Sequence, residues 1–356
     1  MSDWVDTRSR PPAPTQPSPG GGGQGWGAFG TAGVVAAVSP DLAPPVARPW
    51  HVAQATGSRD LVIVNRFALR SRGGRAIGPL RDIFPSALFA EPDLATRLLA
   101  TTDDQALPFD RVVVSGGDGT LNRFLPQVLN ADLPVLLAPA GTANDLAHEM
   151  GVGRWSPYDG DELGRLNEKR LDVIDASGHP FSTVGYLGFG SDVVTAVNRW
   201  RQYSWTRPAQ VALGKFIYVM GVLWMGALRR LPLYRLCIRE SERETVLTTP
   251  LVVVANQPRV GGTMTLAHGT RNDDGRFRIL AFRQTSGFAL LRAISSLCRG
   301  TDPSLAGVES FETSRAQLES LDGRPFLFCA DGEELLQGTR LELGLHARQL
   351  RLLVPA

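Results

Sequence analysis

From Leu61 onward the chain sets short, wholly apolar runs against longer segments whose apolar positions recur every three or four residues. LVIVN, from Leu61 to Asn65, is apolar until its last residue, as a buried parallel strand is. An arginine- and glycine-rich loop follows from Arg66 to Arg75, and weak helical patterns cover 78–84 and 93–100. RVVVSGGDGTLNRFLPQVL then reads as strand, glycine turn and helix, and LPVLLAPAGTANDLAHEMG repeats that plan. Strands alternating with helices at this spacing predict a parallel α/β sheet. After about residue 168 the pattern changes. LDVIDASGHPFSTVGYLGFGSDVV reads as short strands and turns, and one helical insertion runs from about Ala209 to Arg230. The apolar runs LYRLCIRE, PLVVVANQ, RFRILAF, PFLFCADGE, TRLELGL and RQLRLLVP predict further strands, with a helix near Gly287 to Leu297. The expected fold is an α/β nucleotide-binding domain with a parallel sheet plus a mainly antiparallel β-sandwich domain.

Before residue 58 no such pattern exists. PPAPTQPSPGGGGQGWG, from Pro11 to Gly27, and a second proline cluster from Pro40 to Pro49 bury little, so residues 1–57 are expected to form a disordered tail. The domains then fall at 58–168 and 169–345, with the last segment, 346–356, expected back in the first. Phe216 to Leu228 is uncharged, but it is shorter than the ~20 residues that cross a bilayer. It reads as a buried or surface-lying helix. Composition adds little beyond this. A net charge of +2 gives no case for nucleic-acid binding. The three cysteines, Cys237, Cys298 and Cys329, are scattered through apolar runs, which predicts buried reduced thiols and a cytoplasmic protein.

The chemistry concentrates at the two glycine turns. In Gly116-Gly117-Asp118-Gly119-Thr120 the glycines permit close approach of the backbone, and the amides opening the following helix can cradle a phosphate. A carboxylate at Asp118 would repel that phosphate unless it binds Mg²⁺. Pro139-Ala140-Gly141-Thr142-Ala143-Asn144-Asp145 follows the next strand, so both turns belong at the same sheet edge, where open α/β sheets bind ligands. Neither turn is a Walker loop, and neither completes GxGxxG.

SGGDGTLN (Ser115 to Asn122) and PAGTANDLA (Pro139 to Ala147) resemble the diacylglycerol kinase catalytic domain family, which includes bacterial soluble lipid kinases and the sphingosine and ceramide kinases. NQPRVGGTMTLAHGTRNDDGRFRIL and CADGEELL resemble segments of that family's second domain, and the resemblance covers roughly residues 60 to 356. It implies an ATP- and Mg²⁺-dependent phosphotransferase with an alcohol acceptor, a lipid of the diacylglycerol type. It further implies a role in phospholipid metabolism and peripheral contact with a membrane surface. It implies nucleotide contacts from Asn65, Gly116, Gly117, Asp118, Gly119, Thr120, Leu121, Asn122, Gly141, Thr142 and Asn144. Asp118 would position Mg²⁺, and Glu333 would accept the proton of the acceptor hydroxyl. A structural magnesium would rest on Asp274 and on the backbone carbonyls of Arg271 and Arg276, with Asp172 supporting it. Two other readings stay open: a kinase of a soluble small molecule such as NAD, and a regulatory nucleotide-binding module without catalysis.

Overall fold

The computed structural model describes residues 59–65, 77–100, 108–141, 143–152, 166–202, 220–221, 223, 231–240, 243–261 and 264–355. The expected tail, 1–57, lies outside them. So does the helical insertion at 209–230, apart from the helical Met220, Gly221 and Leu223.

The apolar run at Leu61 forms the strand Asp60–Val64, flanked on both sides by parallel partners: Leu88–Ala90 at the edge and Arg111–Gly116 inside. Val135–Pro139 continues the parallel set. Every residue of Asp60–Val64, Arg111–Gly116 and Val135–Pro139 is buried, which is why these strands read as continuous apolar runs rather than alternating ones. The next strand is Arg340–Pro355, sixteen residues long. Its end pairs parallel with the first lobe, Leu352 against Val135 and Leu353 against Leu136. Its beginning pairs antiparallel with Arg315–Ser320, and Tyr234–Glu240 and Arg243–Thr249 extend the sheet. The sheet is therefore mixed, parallel at one end and antiparallel at the other, with Leu166–Ala176 laid antiparallel along Arg340–Pro355.

A second, wholly antiparallel sheet has the order Val308–Thr313, Phe277–Phe282, Leu251–Ala255, Val184–Gly188, Phe326–Ala330, Glu333–Gly338. The two sheets enclose a core that includes Phe181, Ile238, Val254, Ile279, Phe328 and Leu343. Helices Phe189–Gln202 and Gly287–Cys298 cover the outer face of the second sheet, burying Val193, Val197, Leu290 and Ile294 against Val253 and Leu280. Burial of this apolar surface is the main stabilising term, at roughly 25 cal/mol per Å².

Several elements differ from the expected ones. GSDVV belongs to the helix Phe189–Gln202, not to a strand. Its apolar residues Phe189, Val193, Val197 and Trp200 recur at helical spacing over a span longer than the short apolar pair suggested. Arg243–Thr249, Val308–Thr313 and Arg315–Ser320 are strands that the apolar runs missed. Val308–Thr313 and Arg315–Ser320 alternate buried and exposed positions, so polar side chains break each run. TRLELGL and RQLRLLVP are one strand, interrupted by a register shift between His346 and Leu350 at Arg348, whose φ is +54°. All three cysteines are free thiols; Cys237 and Cys329 are buried and Cys298 is half-buried. No helix among the described residues is long and apolar enough to cross a membrane.

Candidate active site

Gly116 pairs with Pro139 across neighbouring parallel strands, so the two glycine turns leave the sheet side by side. Backbone joins them: the amides of Ala140 and Gly141 donate to the carbonyl of Gly116 at 2.8 and 3.1 Å. A Cβ on Gly141 would stand 2.4 Å from the Cα of Gly117, and one on Gly116 would meet the Thr120 side chain at a similar distance. Glycine is required at both places by close approach. Asn144 closes the second turn in a left-handed conformation, φ 53° and ψ 47°. Its Oδ1 accepts from the Gly141 amide at 2.9 Å, and its Nδ2 donates to the Gly141 carbonyl at 3.0 Å. Asn65 Nδ2 donates to Thr120 Oγ1 at 2.9 Å, tying the first strand to the first turn.

These bonds give the nucleotide residues expected from the sequence different positions. Gly116, Gly117, Gly119 and Gly141 form the paired turns, and Asn65, Thr120 and Asn144 brace them. Leu121 is buried in the core of the first lobe. Asn122 is buried too, and its Nδ2 donates to Asp331 Oδ2 at 3.2 Å and to the Pro180 carbonyl at 3.1 Å, both on the second lobe. Thr142 lies outside the described residues.

Asp118 begins the helix Asp118–Asn122 and reaches to the second turn. Its Oδ2 accepts from the Asp145 amide at 2.7 Å and its Oδ1 from the Leu146 amide at 3.1 Å. Burial and then the neighbouring carboxylate of Asp145 push its pKa up to about 7, with Asp331 adding to the rise and the two amides opposing it. Asp145, in turn, accepts from the Gly261 amide of the second lobe at 2.9 Å. A divalent cation beside Asp118 and Asp145 would relieve the repulsion between their carboxylates. Asp118 and Asp145 are the side chains that would hold it.

The pKa shift has a measurable consequence. Asp118 keeps its proton in the folded chain to about pH 7 but loses it in the ordinary carboxylate range when unfolded. The folded state thus holds more protons in that window, and its stability falls as pH rises through it. In magnesium-free buffer, Asp118→Asn is expected to flatten the decline in melting temperature between mildly acidic and neutral pH. A decline as steep as that of the unmodified protein overturns the assignment.

Glu333 enters the site from the second lobe. Asp331 and Gly332 have φ of 50° and 86°, the backbone of a two-residue Asp-Gly hairpin turn. Glu333 is the first residue of the strand that follows, rather than a residue of the turn itself. Its side chain lies against the first glycine turn: a Cβ on Gly119 would stand 2.7 Å from Glu333 Oε1. The turn is held at several points. Asp331 is buried, and its carboxylate accepts from the Ser182 and Thr183 amides, both at 2.9 Å, from both hydroxyls, and from Asn122. Burial pushes the Asp331 carboxyl above its usual range while these donors pull it back. Asn198 Nδ2 donates to the Gly332 carbonyl at 2.9 Å.

The loop expected to hold a structural magnesium is built differently from the paired turns. Arg271 makes two bonds to the Asp273 carboxylate, at 3.0 and 3.2 Å, and Asp274 Oδ1 accepts from the Arg276 amide at 3.1 Å. Asp172 is fully buried beneath the loop and accepts from the amides of Gly275 and Arg348 at 2.7 and 2.8 Å. Asp172 thus ties the loop to the long final strand through backbone amides. A cation at this loop would rest on Asp274 and backbone carbonyls. Among the described residues no group of three His, Cys, Asp or Glu side chains could hold a metal.

Asp145, Asp331, Ser182, Thr183 and Asn198 had no assigned role in the sequence reading. Asp145 and Asp331 stand inside the quoted motifs, next to Asn144 and Gly332, so their signal was present. Ser182 and Thr183 lie within LDVIDASGHPFSTVGYLGFGSDVV and Asn198 beyond it, but only the fold brings these three to Asp331 and Gly332.

Residues 59–176 match the family of the diacylglycerol kinase catalytic domain, and residues 186–351 match the YegS C-terminal NAD kinase beta sandwich-like domain. A diacylglycerol kinase of Mycobacterium tuberculosis is 28% identical over 231 residues, 63% of this chain and 70% of that protein. A protein of Pseudomonas fluorescens named "Probable lipid kinase YegS-like" is 36% identical over 85 residues, 23% of this chain and 28% of that one. The crystal structure of a diacylglycerol kinase from Bacillus anthracis superposes with a TM-score of 0.57 at 16% identity, covering 83% of this chain and 97% of that one, a likeness of fold. With both lobes matched in order, and Glu333 of the Asp-Gly-Glu hairpin lying against Gly119 of the first glycine turn, the chain carries a diacylglycerol kinase catalytic domain followed by a YegS C-terminal NAD kinase beta sandwich-like domain.

Proposed function

We propose that the protein transfers the γ-phosphoryl group of ATP to a hydroxyl of a diacylglycerol-like lipid. The observation that carries this reading is the contact between Glu333 on the second lobe and Gly119 in the paired glycine turns of the first. A carboxylate beside a phosphate cradle is placed to act on a hydroxyl brought to that phosphate.

In this mechanism the glycine-turn amides orient the phosphate chain. Glu333 accepts the proton of the acceptor hydroxyl as its oxygen bonds to the γ-phosphorus. The bond from that phosphorus to the bridging oxygen breaks, leaving ADP and a phosphorylated lipid. Magnesium held by Asp118 and Asp145 would supply neutralisation of phosphate charge. Asp331 is a positioning residue: it fixes the hairpin from which Glu333 projects.

The test is an assay of the purified full chain with labelled ATP and magnesium against diacylglycerol in mixed micelles, NAD and simple sugars. The expected result is label in a lipid phosphate with equal formation of ADP. Label in NAD or a sugar assigns a soluble acceptor, and no label in any acceptor supports the non-catalytic reading.

A further inference from the structure

The strand after the Asp-Gly turn opens on two consecutive glutamates, Glu333 and Glu334, and both are exposed. Successive side chains of a strand project to opposite faces, so only one of the two can meet the first lobe. The ladder alone holds that choice weakly. Glu333–Gly338 is an edge strand of the second sheet, paired with Phe326–Ala330. The pairing runs Ala330 with Glu333 and Cys329 with Glu334, then jumps to Phe328 with Leu336. Leu335 is thus an extra residue, a bulge beside the glutamates. A slip of one residue at such a place turns the neighbouring side chain to the opposite face, which would bring Glu334 toward Gly119 in place of Glu333.

The helix Phe189–Gln202 supplies a hold from the other side. Ser191 Oγ lies 2.7 Å from the Tyr186 carbonyl and 2.9 Å from that of Leu327, which ties the start of the helix to two strands of the sheet. One turn on, Thr195 Oγ1 donates to Glu334 Oε1 at 2.7 Å. Asn198 Nδ2 then donates to the Gly332 carbonyl at 2.9 Å. Residues 191, 195 and 198 stand at i, i+4 and i+7, one face of the helix. Their two bonds to the hairpin grip it on either side of Glu333, the residue before through its carbonyl and the residue after through its carboxylate. Thr195 and Asn198 are only half-buried, and Val193 and Val197 make the core contact of this helix. Their bonds therefore bear on the aim of the hairpin more than on the packing of the lobe.

We propose that Thr195 and Asn198 are positioning residues that select Glu333, rather than Glu334, as the glutamate facing the glycine turns. Thr195 engages the Glu334 carboxylate on the helix side, and the alternation of the strand then holds Glu333 against Gly119. Asn198 fixes the peptide that joins the turn to Glu333. The inference rests on the reading of Glu333 as the group that accepts the proton of the acceptor hydroxyl.

The first experiment is kinetic, on the full chain with ATP, magnesium and diacylglycerol in mixed micelles. Thr195→Val combined with Asn198→Ala should lower kcat about tenfold or more, the scale on which a small misplacement of a reacting group is felt. ATP affinity, read by titration, should hold. Thr195→Ser, which keeps the hydroxyl, should recover most of the loss seen in Thr195→Val. Added to Glu333→Gln, the Thr195/Asn198 pair should cost little more, because all three changes act through one carboxylate.

The second experiment needs no turnover. In the full chain, Gly119→Cys with Glu333→Cys should close a disulfide under mild oxidation faster than Gly119→Cys with Glu334→Cys. Thr195→Val combined with Asn198→Ala should narrow that difference. Unchanged kcat in the Thr195/Asn198 variant, where Glu333→Gln does lose kcat, overturns the selection and leaves Glu333 as the base. A further loss in the Glu333→Gln background as large as in the unmodified protein also overturns it. If Glu333→Gln keeps its kcat, or no acceptor is phosphorylated, the reading of the base fails and the trapping rates decide alone. A preference for position 333 that survives removal of Thr195 and Asn198 overturns the proposal, and one that narrows supports it.

Discussion

Glu333→Gln is expected to lower kcat by about 10²–10⁴, the usual worth of a positioned general base. Glutamine has nearly the same shape, so the contact with Gly119 and the hairpin behind it should survive. A neutral amide cannot take the proton of the acceptor hydroxyl. Both the charge and the basicity are lost at the side chain that the second lobe sets against Gly119. ATP affinity should change little, because the turns proposed to cradle phosphate are built by bonds among Gly116, Gly141, Asn144, Asn65 and Thr120. Loss of kcat with retained nucleotide binding is the signature of a group acting in the transition state. Steady-state kinetics alongside nucleotide titration checks this. A variant with unchanged kcat would remove Glu333 from the chemistry, and one that no longer binds ATP would make it structural.

Asp331→Ala should have the largest effect on stability, about 3 kcal/mol or more, through the donors it strands. The amides of Ser182 and Thr183 and the Nδ2 of Asn122 would lose an acceptor inside a buried site, and each such loss costs roughly 1–3 kcal/mol. The contributions will not add fully, since the donors share one carboxylate and can relax together. The left-handed φ of Asp331 adds strain that its hydrogen bonds now hold in place. Asp331→Asn keeps the volume but turns an amide toward donors, so it should also destabilise, by less. Chemical denaturation measures both. In whatever fraction stays folded, kcat should fall more than ATP affinity, because the hairpin that aims Glu333 is released. Unchanged stability in the alanine variant would mean that water replaces the carboxylate at no cost.

The sequence by itself determined the glycine-turn lobe of this protein and its likeness to the diacylglycerol kinase catalytic domain. Runs such as RVVVSGGDGT and VLLAPAGTAN carry strand, turn and helix signals within ten residues. The glycines themselves stand out in the sequence, although the close approach that requires Gly141 comes from Gly117 on the neighbouring turn. The two fully buried parallel strands ending in these turns were legible because burial on both faces leaves an unbroken apolar run. Even the Asp-Gly of the hairpin had a recognisable turn chemistry.

Only the tertiary structure decided how the two halves meet. Asn122 finds Asp331 209 positions away, and Glu333 reaches Gly119 across a comparable span of chain. No local pattern encodes such contacts. The same holds for Asp118, whose partners on the neighbouring turn fix both its orientation and its raised pKa. The solvent-facing strands Val308–Thr313 and Arg315–Ser320 were hidden by their polar faces, and the helix Phe189–Gln202 by its short apolar pair. The final strand could not be read as one piece because Arg348 breaks its alternation. That break persists because the Arg348 amide donates to the buried Asp172, 176 positions earlier in the chain.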